Sequence, residues 1–444
     1  MITDLTKDPP EKVLWKFALP MVISIIFQQM YNVCDSIIAG QFIDDNALSA
    51  VSASYQITMI FMSFANGSNA GCAVVISQYF GAKKFAKMKN AVSSALISSV
   101  VFSVIITIIG LIICNPLLKA LETPENIFAD SSAYLAIYIA GFSFLFIYNI
   151  CTGIFTALGD SKTPLYFLIA SSVGNVVLNI VFVTAFGMGV PGIAWATFIA
   201  QGISCVLSVI TLFRRLRGMK LNHHIPVFTW KALKTISLIA VPSIIQSCFV
   251  SVGGLFIQKI INRMGYATIA GFGSAIKLNT FAVNCIGVIA TATSSFTAQN
   301  IGANKPERVT QGYKAAMKLE LLFCIPFVIL YFFFPGFFVG LFSKEKTPEV
   351  LAVGSQFIQY CCPLYAVLSV KLISDSVLRG GGAMRAFMFT TFSDLLLRVV
   401  LAYILTPFLG FTGISLAWPI GWIISSAISY VLYKKGYWKS QALT

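Results

Sequence analysis

The sequence has few charged residues: Asp, Glu, Lys and Arg make up only 11% of its 444 residues, where a soluble globular domain has roughly 25%. This shortage excludes an ordinary soluble enzyme, because a soluble chain of this length keeps a largely polar surface. Hydrophobic residues make up 57% of the chain. The composition therefore predicts an integral membrane protein whose solvent is lipid.

The motifs of common enzymes are also missing. The sequence contains no H-E-x-x-H, no G-x-S-x-G and no G-x-x-x-x-G-K-[ST], and its two histidines, His223 and His224, lie in a basic central segment. Its 10 cysteines show no C-x-x-C spacing, so we interpret them as small apolar side chains. We predict no enzymatic activity and no cofactor, and without an ATP site any uphill transport must draw on an ion gradient.

Apolar runs of about 20 residues, enough to cross roughly 30 Å of hydrocarbon, occur repeatedly along the chain. We predict twelve spans, at 14–40, 47–78, 90–114, 131–156, 164–186, 191–213, 232–259, 267–298, 313–335, 350–378, 386–406 and 411–433.

The net charge of +15 would favour a nucleic-acid partner in a soluble protein, but here the topology explains it. With the N-terminus inside, roughly 23 basic residues fall in inner segments and about five in outer ones. The positive-inside rule therefore predicts a multi-pass protein with both termini in the cytoplasm and no nucleic-acid partner.

The chain also repeats itself. The stretch 77–84 after the second span resembles 298–305 after the eighth, at a separation of about 221 residues. This repeat predicts an all-α membrane protein with twelve transmembrane helices, arranged as two six-helix bundles related by a pseudo-two-fold axis along the membrane normal. The predicted parts are an N-lobe at 1–213, a cytoplasmic basic linker at 214–231 and a C-lobe at 232–444. Such lobes suit a cleft that opens to either side, although duplication without rocking remains an alternative.

A few polar residues interrupt the spans of the first half. Asp35 lies on span 1, on one helix face with Tyr31. Asn175 and Asn179 form an i,i+4 pair on span 5, and Thr197 lies on span 6. At about 1.5 Å per residue, Asp35, Asn179 and Thr197 fall about 8 to 10 Å below the outer ends of their spans. Together with Asn175 they could bind a proton or a small cation, or form a structural hydrogen-bond cluster.

The second half carries a different set of charges. Lys371 and Asp375 are spaced i,i+4 on span 10, as Asp394 and Arg398 are on span 11, and Lys277 stands on span 8. We expect a C-lobe polar network of these five residues. Because each carboxylate has a cation within reach, structural pairing is the favoured interpretation.

Several stretches, in their order and spacing, resemble the multidrug and toxic compound extrusion (MATE) family over essentially the whole chain. They are Gln28–Asp35 with Gly40, Gln78–Lys84, Ala157–Pro164, Gly192–Thr197 and Leu378–Gly380. The sequence resembles the bacterial branch that keeps its coupling carboxylate in the N-lobe.

This resemblance implies a secondary antiporter that exports amphipathic or cationic organic compounds in exchange for protons or sodium ions. It places the ion-coupling carboxylate at Asp35, its polar partners at Asn175, Thr197 and Tyr31, and a helix-bending proline at Pro20. The family branch often has an aspartate at the position of Asn179, so here one carboxylate remains. One carboxylate fits one proton, while a sodium ion held by Asp35, Asn175, Asn179 and Thr197 stays an alternative.

The expected surroundings are a bacterial-type cytoplasmic (inner) membrane, with membrane lipid and small amphipathic or cationic substrates as partners, and a monomer as the functional unit. A flippase for a lipid-linked or other amphiphilic substrate in the same superfamily is the main alternative. A passive channel would need polar stripes through both leaflets, and a membrane-embedded enzyme would need a clustered nucleophile, base or metal; the sequence shows neither.

Overall fold

The computed structural model describes residues 3–38, 43, 45–121, 123–219, 225–343 and 346–440, and most of these residues are helical. No β-strand occurs in these ranges. Helices suit the hydrocarbon because most of their backbone hydrogen bonds close within the segment. The predicted all-α membrane fold class is confirmed.

The described ranges contain fifteen α-helices, and three short turns of other helical types accompany them. The α-helices are α1 (Pro10–Ile38), α2 (Asp45–Gly81), α3 (Phe85–Ala120), α4 (Glu125–Ala140), α5 (Phe142–Ala157), α6 (Lys162–Ile180), α7 (Gly189–Gly218), α8 (Trp230–Ile261), α9 (Tyr266–Gly302), α10 (Pro306–Phe333), α11 (Pro335–Phe342), α12 (Pro348–Cys361), α13 (Tyr365–Gly380), α14 (Met384–Leu409) and α15 (Phe411–Lys434). A π-helical turn (Val181–Ala185) follows α6, and 3₁₀ turns occupy Cys362–Leu364 and Tyr437–Ser440.

Eleven helical segments in the described ranges are long and apolar enough to cross a membrane. The pair α4 and α5 passes the same test together but bends by 46° at Gly141, and counting it as one span gives twelve. The predicted span 131–156 is therefore broken in the middle. The predicted span 350–378 corresponds to α12, a 3₁₀ turn and α13, which together form one segment, Pro348–Gly380.

The helices form two compact units, each with its own interior. Unit 1 comprises Met1–Asp4 and Ile23–Ser247, and unit 2 comprises Leu5–Val22 and Cys248–Thr444. The unit borders fall inside α1 and inside α8. The lobes at 1–213 and 232–444 remain a prediction from the sequence, and residues 220–224 of the linker lie outside the described ranges.

Within unit 1, an apolar cluster gathers the ends of several helices. Ile38 of α1 packs with residues of α2, α4, the π-helical turn and α7, namely Ala47, Val51, Tyr134, Val183, Val190, Ile193 and Ala194. Since Asp35 lies one turn before Ile38, this cluster fixes the end of α1 that carries the carboxylate.

Two glycines of α2 allow a close approach to α8 within unit 1. A Cβ atom on Gly67 would lie 2.5 Å from the Cα atom of Ile244, and one on Gly71 would lie 2.5 Å from the Cα atom of Ala240. A side chain at either position would therefore force the two backbones apart. Small residues spaced four apart are a common way for membrane helices to pack closely.

We expect Gly71→Ala to lower the free energy of unfolding by about 1–3 kcal/mol, because the added methyl group meets backbone rather than a flexible side chain. Thermal unfolding of the purified protein in detergent measures the effect. Gly254→Ala on α8 is the matched control, since a Cβ there meets nothing within 4 Å. Equal stability of the two variants would contradict the close α2–α8 contact.

Candidate functional site

Four predicted polar residues of unit 1 meet near one end of α1. Asp35 lies on the last turn of α1, Asn175 and Asn179 lie one turn apart on α6, and Thr197 lies on α7. All four are buried, with exposed fractions between 0% and 7%. The i,i+4 spacing puts both asparagines on one face of α6, and α6 packs against α7.

A chain of hydrogen bonds links these four side chains. Asn179 Nδ2 donates to Asp35 Oδ1 at 2.6 Å and also to Asn175 Oδ1 at 2.8 Å. Asn175 Nδ2 in turn donates to Thr197 Oγ1 at 3.2 Å. The chain connects α1 to α7 through α6, and Asn179 is the residue that joins the carboxylate to the rest.

The NH₂ group of Asn179 makes two hydrogen bonds in this chain, while the amide oxygen makes none. Asn179 Oδ1 is buried and has no hydrogen-bond partner among the described residues. A buried oxygen without a donor is costly, by about 1–3 kcal/mol. This oxygen is therefore a ready acceptor for a proton donor or a cation that enters the cluster.

Two further residues belong to the surroundings of Asp35. Tyr134 on α4 is buried and interacts electrostatically with Asp35; it lies in an apolar span, and the sequence analysis did not select it. Tyr31, which the resemblance placed near the carboxylate, lies on α1, but its side chain is outside the described part of the chain.

Pro20 lies inside α1 and close to a border between the compact units. It has no backbone N–H, so the carbonyl of Lys16 loses its helical hydrogen bond. The helix continues through the proline, and the unit border follows two residues later, between Val22 and Ile23. In α8, Pro242 is similarly internal, and the border there follows Ser247.

In unit 2, the carboxylate of Asp375 has a full set of donors. Lys371 Nζ donates to Asp375 Oδ2 at 2.7 Å, and the hydroxyls of Thr390 and Ser429 both donate to Oδ1 at 2.8 Å. These donors come from α13, α14 and α15. Asp375 therefore ties three helices together and is neutralised by a cation on its own helix.

The second carboxylate of unit 2 is paired in the same way. Arg398 donates to Asp394 Oδ2 at 2.9 Å, and Ser425 donates to Oδ1 at 3.1 Å. The guanidinium also lies 4.7 Å from the centre of the Trp418 ring, which adds a cation–π contact. A Cβ on Gly421 would lie 2.5 Å from the Cγ atom of Arg398, so only glycine leaves room for this arginine.

Lys277 is not part of this pairing. It is exposed on α9, where it lines an open cavity of about 220 Å³ with Tyr266 and Ser274. It makes no ion pair within the described ranges. One buried carboxylate of unit 2, Glu320 on α10, was not selected from the sequence at all.

A metal centre built from charged or sulfur ligands is not found in the described ranges, where no group of three or more His, Cys, Asp or Glu side chains comes together. A sodium ion in unit 1 would therefore depend on one carboxylate and neutral oxygens.

The comparisons with known proteins agree on the family. The MatE family model matches residues 20–181 and again residues 242–404. The chain belongs to the MatE family. The double match falls on the two stretches in which the sequence repeats itself.

The similarity to individual MATE proteins extends over nearly the whole chain. The "Probable multidrug resistance protein YpnP" of Bacillus subtilis is 27% identical over 99% of this chain and 98% of its own. The "FAD transporter" of Shewanella oneidensis is 23% identical over 97% and 96%. A solved structure, described as an outward-facing conformation of a multidrug resistance MATE family transporter of the MOP superfamily, has a TM-score of 0.92 at 22% identity, covering 98% and 97%. At this identity the structural match establishes the fold.

The pairing in unit 2 leads to a prediction about stability. Lys371→Met leaves the Asp375 carboxylate buried without its cation, and we expect a loss of about 3–5 kcal/mol in the free energy of unfolding. The double variant Lys371→Met/Asp375→Asn removes both charges and should recover part of that loss.

Thermal unfolding in detergent compares the stability of the wild type, Lys371→Met and the double variant. Lys277→Met is the control, because Lys277 is exposed and makes no ion pair within the described ranges. If the double variant were no more stable than Lys371→Met alone, Lys371 and Asp375 would not be acting as a mutually neutralising pair.

Proposed function

We propose that this MatE protein is a secondary active antiporter that exports amphipathic or cationic organic compounds in exchange for protons or sodium ions by alternating access. Its membership of the family and the multidrug resistance relative support export of varied organic compounds. The observation that supports ion coupling is the buried carboxylate of Asp35, which accepts a hydrogen bond from the neutral amide of Asn179.

Asp35 suits an ion-coupling role because it is a buried carboxylate inside a spanning helix and accepts a hydrogen bond from the neutral amide of Asn179. In this geometry Asn179 Nδ2 donates to the carboxylate of Asp35. Binding one proton removes the charge and turns Asp35 into a donor. The unpartnered Oδ1 of Asn179 is then the nearest acceptor that the cluster offers, once the amide rotates.

Rotation of Asn179 would propagate along the chain of hydrogen bonds. Asn179 Nδ2 faces both Asp35 and Asn175, so rotation of the amide puts Oδ1 opposite both of them. Asn175 Oδ1 then faces another acceptor, so Asn175 must rotate as well to present its NH₂ group. The hydroxyl of Thr197 can accept or donate, so it can follow. Protonation of Asp35 on α1 would thereby exchange donor and acceptor along the chain of hydrogen bonds as far as Thr197 on α7, and would change how these helices pack in unit 1.

Exchange follows if the cation-binding strength of unit 1 differs between the two states of Asp35. An ionised carboxylate attracts a cationic substrate and a protonated one does not, so proton binding lowers affinity for the substrate. The two ligands then compete through one charge. The same logic holds for a sodium ion bound by Asp35 and by the oxygens of Asn175, Asn179 and Thr197.

The remaining expectations belong to this proposal. We place the protein in a bacterial cytoplasmic membrane with both termini in the cytoplasm, where it acts as a monomer in contact with membrane lipid. We assign it no cofactor, no enzymatic activity and no nucleic-acid partner. The relative named an FAD transporter illustrates that similar chains can carry other substrates, so transport assays need more than one substrate class.

The test is gradient-driven exchange in proteoliposomes. A fluorescent lipophilic cation is followed while proton and sodium gradients are imposed separately. We expect Asp35→Asn to reduce exchange by about tenfold or more, because the amide cannot take up a proton and has no negative charge to attract a sodium ion or a cationic substrate. Glu125→Gln is the matched control, since it is the same chemical change at an exposed position of α4.

The ion whose gradient drives the wild type is the coupling ion. Full exchange by Asp35→Asn would show that coupling does not depend on this carboxylate. If the wild type exchanged no cation under either gradient, antiport would be wrong, and flipping of an amphiphilic lipid would be the function to assay.

A further inference from the structure

Glu320 is the most isolated ionisable group in the described part of unit 2. It lies on α10, within the candidate span Pro306–Phe333, and none of its surface is exposed. Neither of its carboxylate oxygens has a hydrogen-bond partner among the described residues. An ionised carboxylate in such a place would lack both solvent and hydrogen-bond donors. Asp35, Asp375 and Asp394, in contrast, each accept at least one hydrogen bond.

The surroundings of Glu320 are hydroxyl and thiol groups rather than cations. On its own helix it interacts electrostatically with Tyr313, two turns earlier, and with Cys324, one turn later. Tyr313 Oη lies 3.2 Å from Ser374 Oγ, and Cys324 Sγ lies 3.3 Å from Ser369 Oγ. Glu320 therefore lies on the face of α10 that packs against α13.

The charges of α13 are engaged elsewhere. Lys371 pairs with Asp375, whose other oxygen accepts from α14 and α15. Arg379 of α13 donates to Ser294 and lies over the Phe387 ring, and Lys277 of α9 and Glu349 of α12 are exposed. The buried titratable side chains on the elements packed against α10 include the neutral groups Cys285 of α9, Cys361 of α12, Cys362 of the 3₁₀ turn and Tyr365 of α13. Within the described ranges, none of these groups forms an ion pair or hydrogen bond with Glu320.

We propose that Glu320 is a second proton-binding site of this protein, located in unit 2, occupied in the conformation described here and emptied in another conformation of the transport cycle. A proton is the ligand that fits, because it neutralises the carboxylate without further ligands. A metal cation would need several oxygens arranged around it. The neighbouring Tyr313 and Cys324 side chains already bond to Ser374 and Ser369.

Release of the proton follows from what ionisation would do to this conformation. An ionised Glu320 is stable only where water or donors reach it, so losing the proton favours a conformation that hydrates the carboxylate. An exposed position lies close to Glu320 on the same helix. Lys318, two residues or about 3 Å of helix rise away, is exposed and pairs with Glu11 at 2.7 Å, and such charges require water or headgroups.

The first test asks whether Glu320 carries a proton, and it needs no transport. The purified full-length protein is examined at neutral pH by infrared spectroscopy for the carbonyl stretch of protonated carboxylic acids. We expect Glu320→Gln to remove one such band, which the exposed Glu307→Gln on the same helix leaves in place. Spectra of Glu320→Gln that retain every wild-type band would overturn the assignment.

The second test asks whether the proton is released, and this part rests on the proposed antiport. Protons released on adding substrate are counted with a pH indicator in weakly buffered detergent solution. Glu320→Gln should release one proton fewer per transporter than the wild type or Glu307→Gln. An unchanged count would overturn release from Glu320.

The two proposals fail in different ways. Loss of the infrared band in Glu320→Gln together with full exchange by Asp35→Asn would support the site at Glu320 and contradict coupling at Asp35. The reverse pair of results would support coupling at Asp35 and contradict a proton at Glu320.

Discussion

Lipid offers no hydrogen bonds, so every polar group within a span must find its partner inside the protein. In unit 1 the side chain that links these polar groups is Asn179, which donates to Asp35 and to Asn175, and Asn175 donates in turn to Thr197. Without Asn179, the carboxylate on α1 would lose its described link to α6 and α7. The proposed ion coupling by Asp35 depends on this connection.

The buried carboxylates differ in how their charge is balanced, and this difference separates structural from ion-responsive groups. Asp375 and Asp394 each have a cation one turn away on the same helix and hydroxyl donors from neighbouring helices. These contacts tie α13, α14 and α15 together. Asp35 accepts a hydrogen bond from the neutral amide of Asn179, and Glu320 has no hydrogen-bond partner among the described residues. These are the two buried carboxylates for which we propose proton binding.

The sequence was sufficient for the features that depend on composition and spacing. Hydropathy predicted the spans, and i,i+4 spacing predicted which of Asn175, Asn179, Lys371 and Asp375 share a face. The break at Gly141 could not be predicted, because 131–156 is one continuous apolar run. Glu320 was not selected from the sequence, although its spacing of seven from Tyr313 indicates a shared face. The double donation by Asn179 depends on amide orientation, which no sequence pattern encodes.

The most direct test of ion coupling at Asp35 is a count of the ions that leave the protein when substrate binds. Purified protein in detergent receives a lipophilic cation, and released protons or sodium ions are measured beside the Asp35→Asn variant. If Asp35 is the coupling carboxylate, the variant releases one ion fewer per transporter than the wild type. Equal release by both proteins would contradict the account.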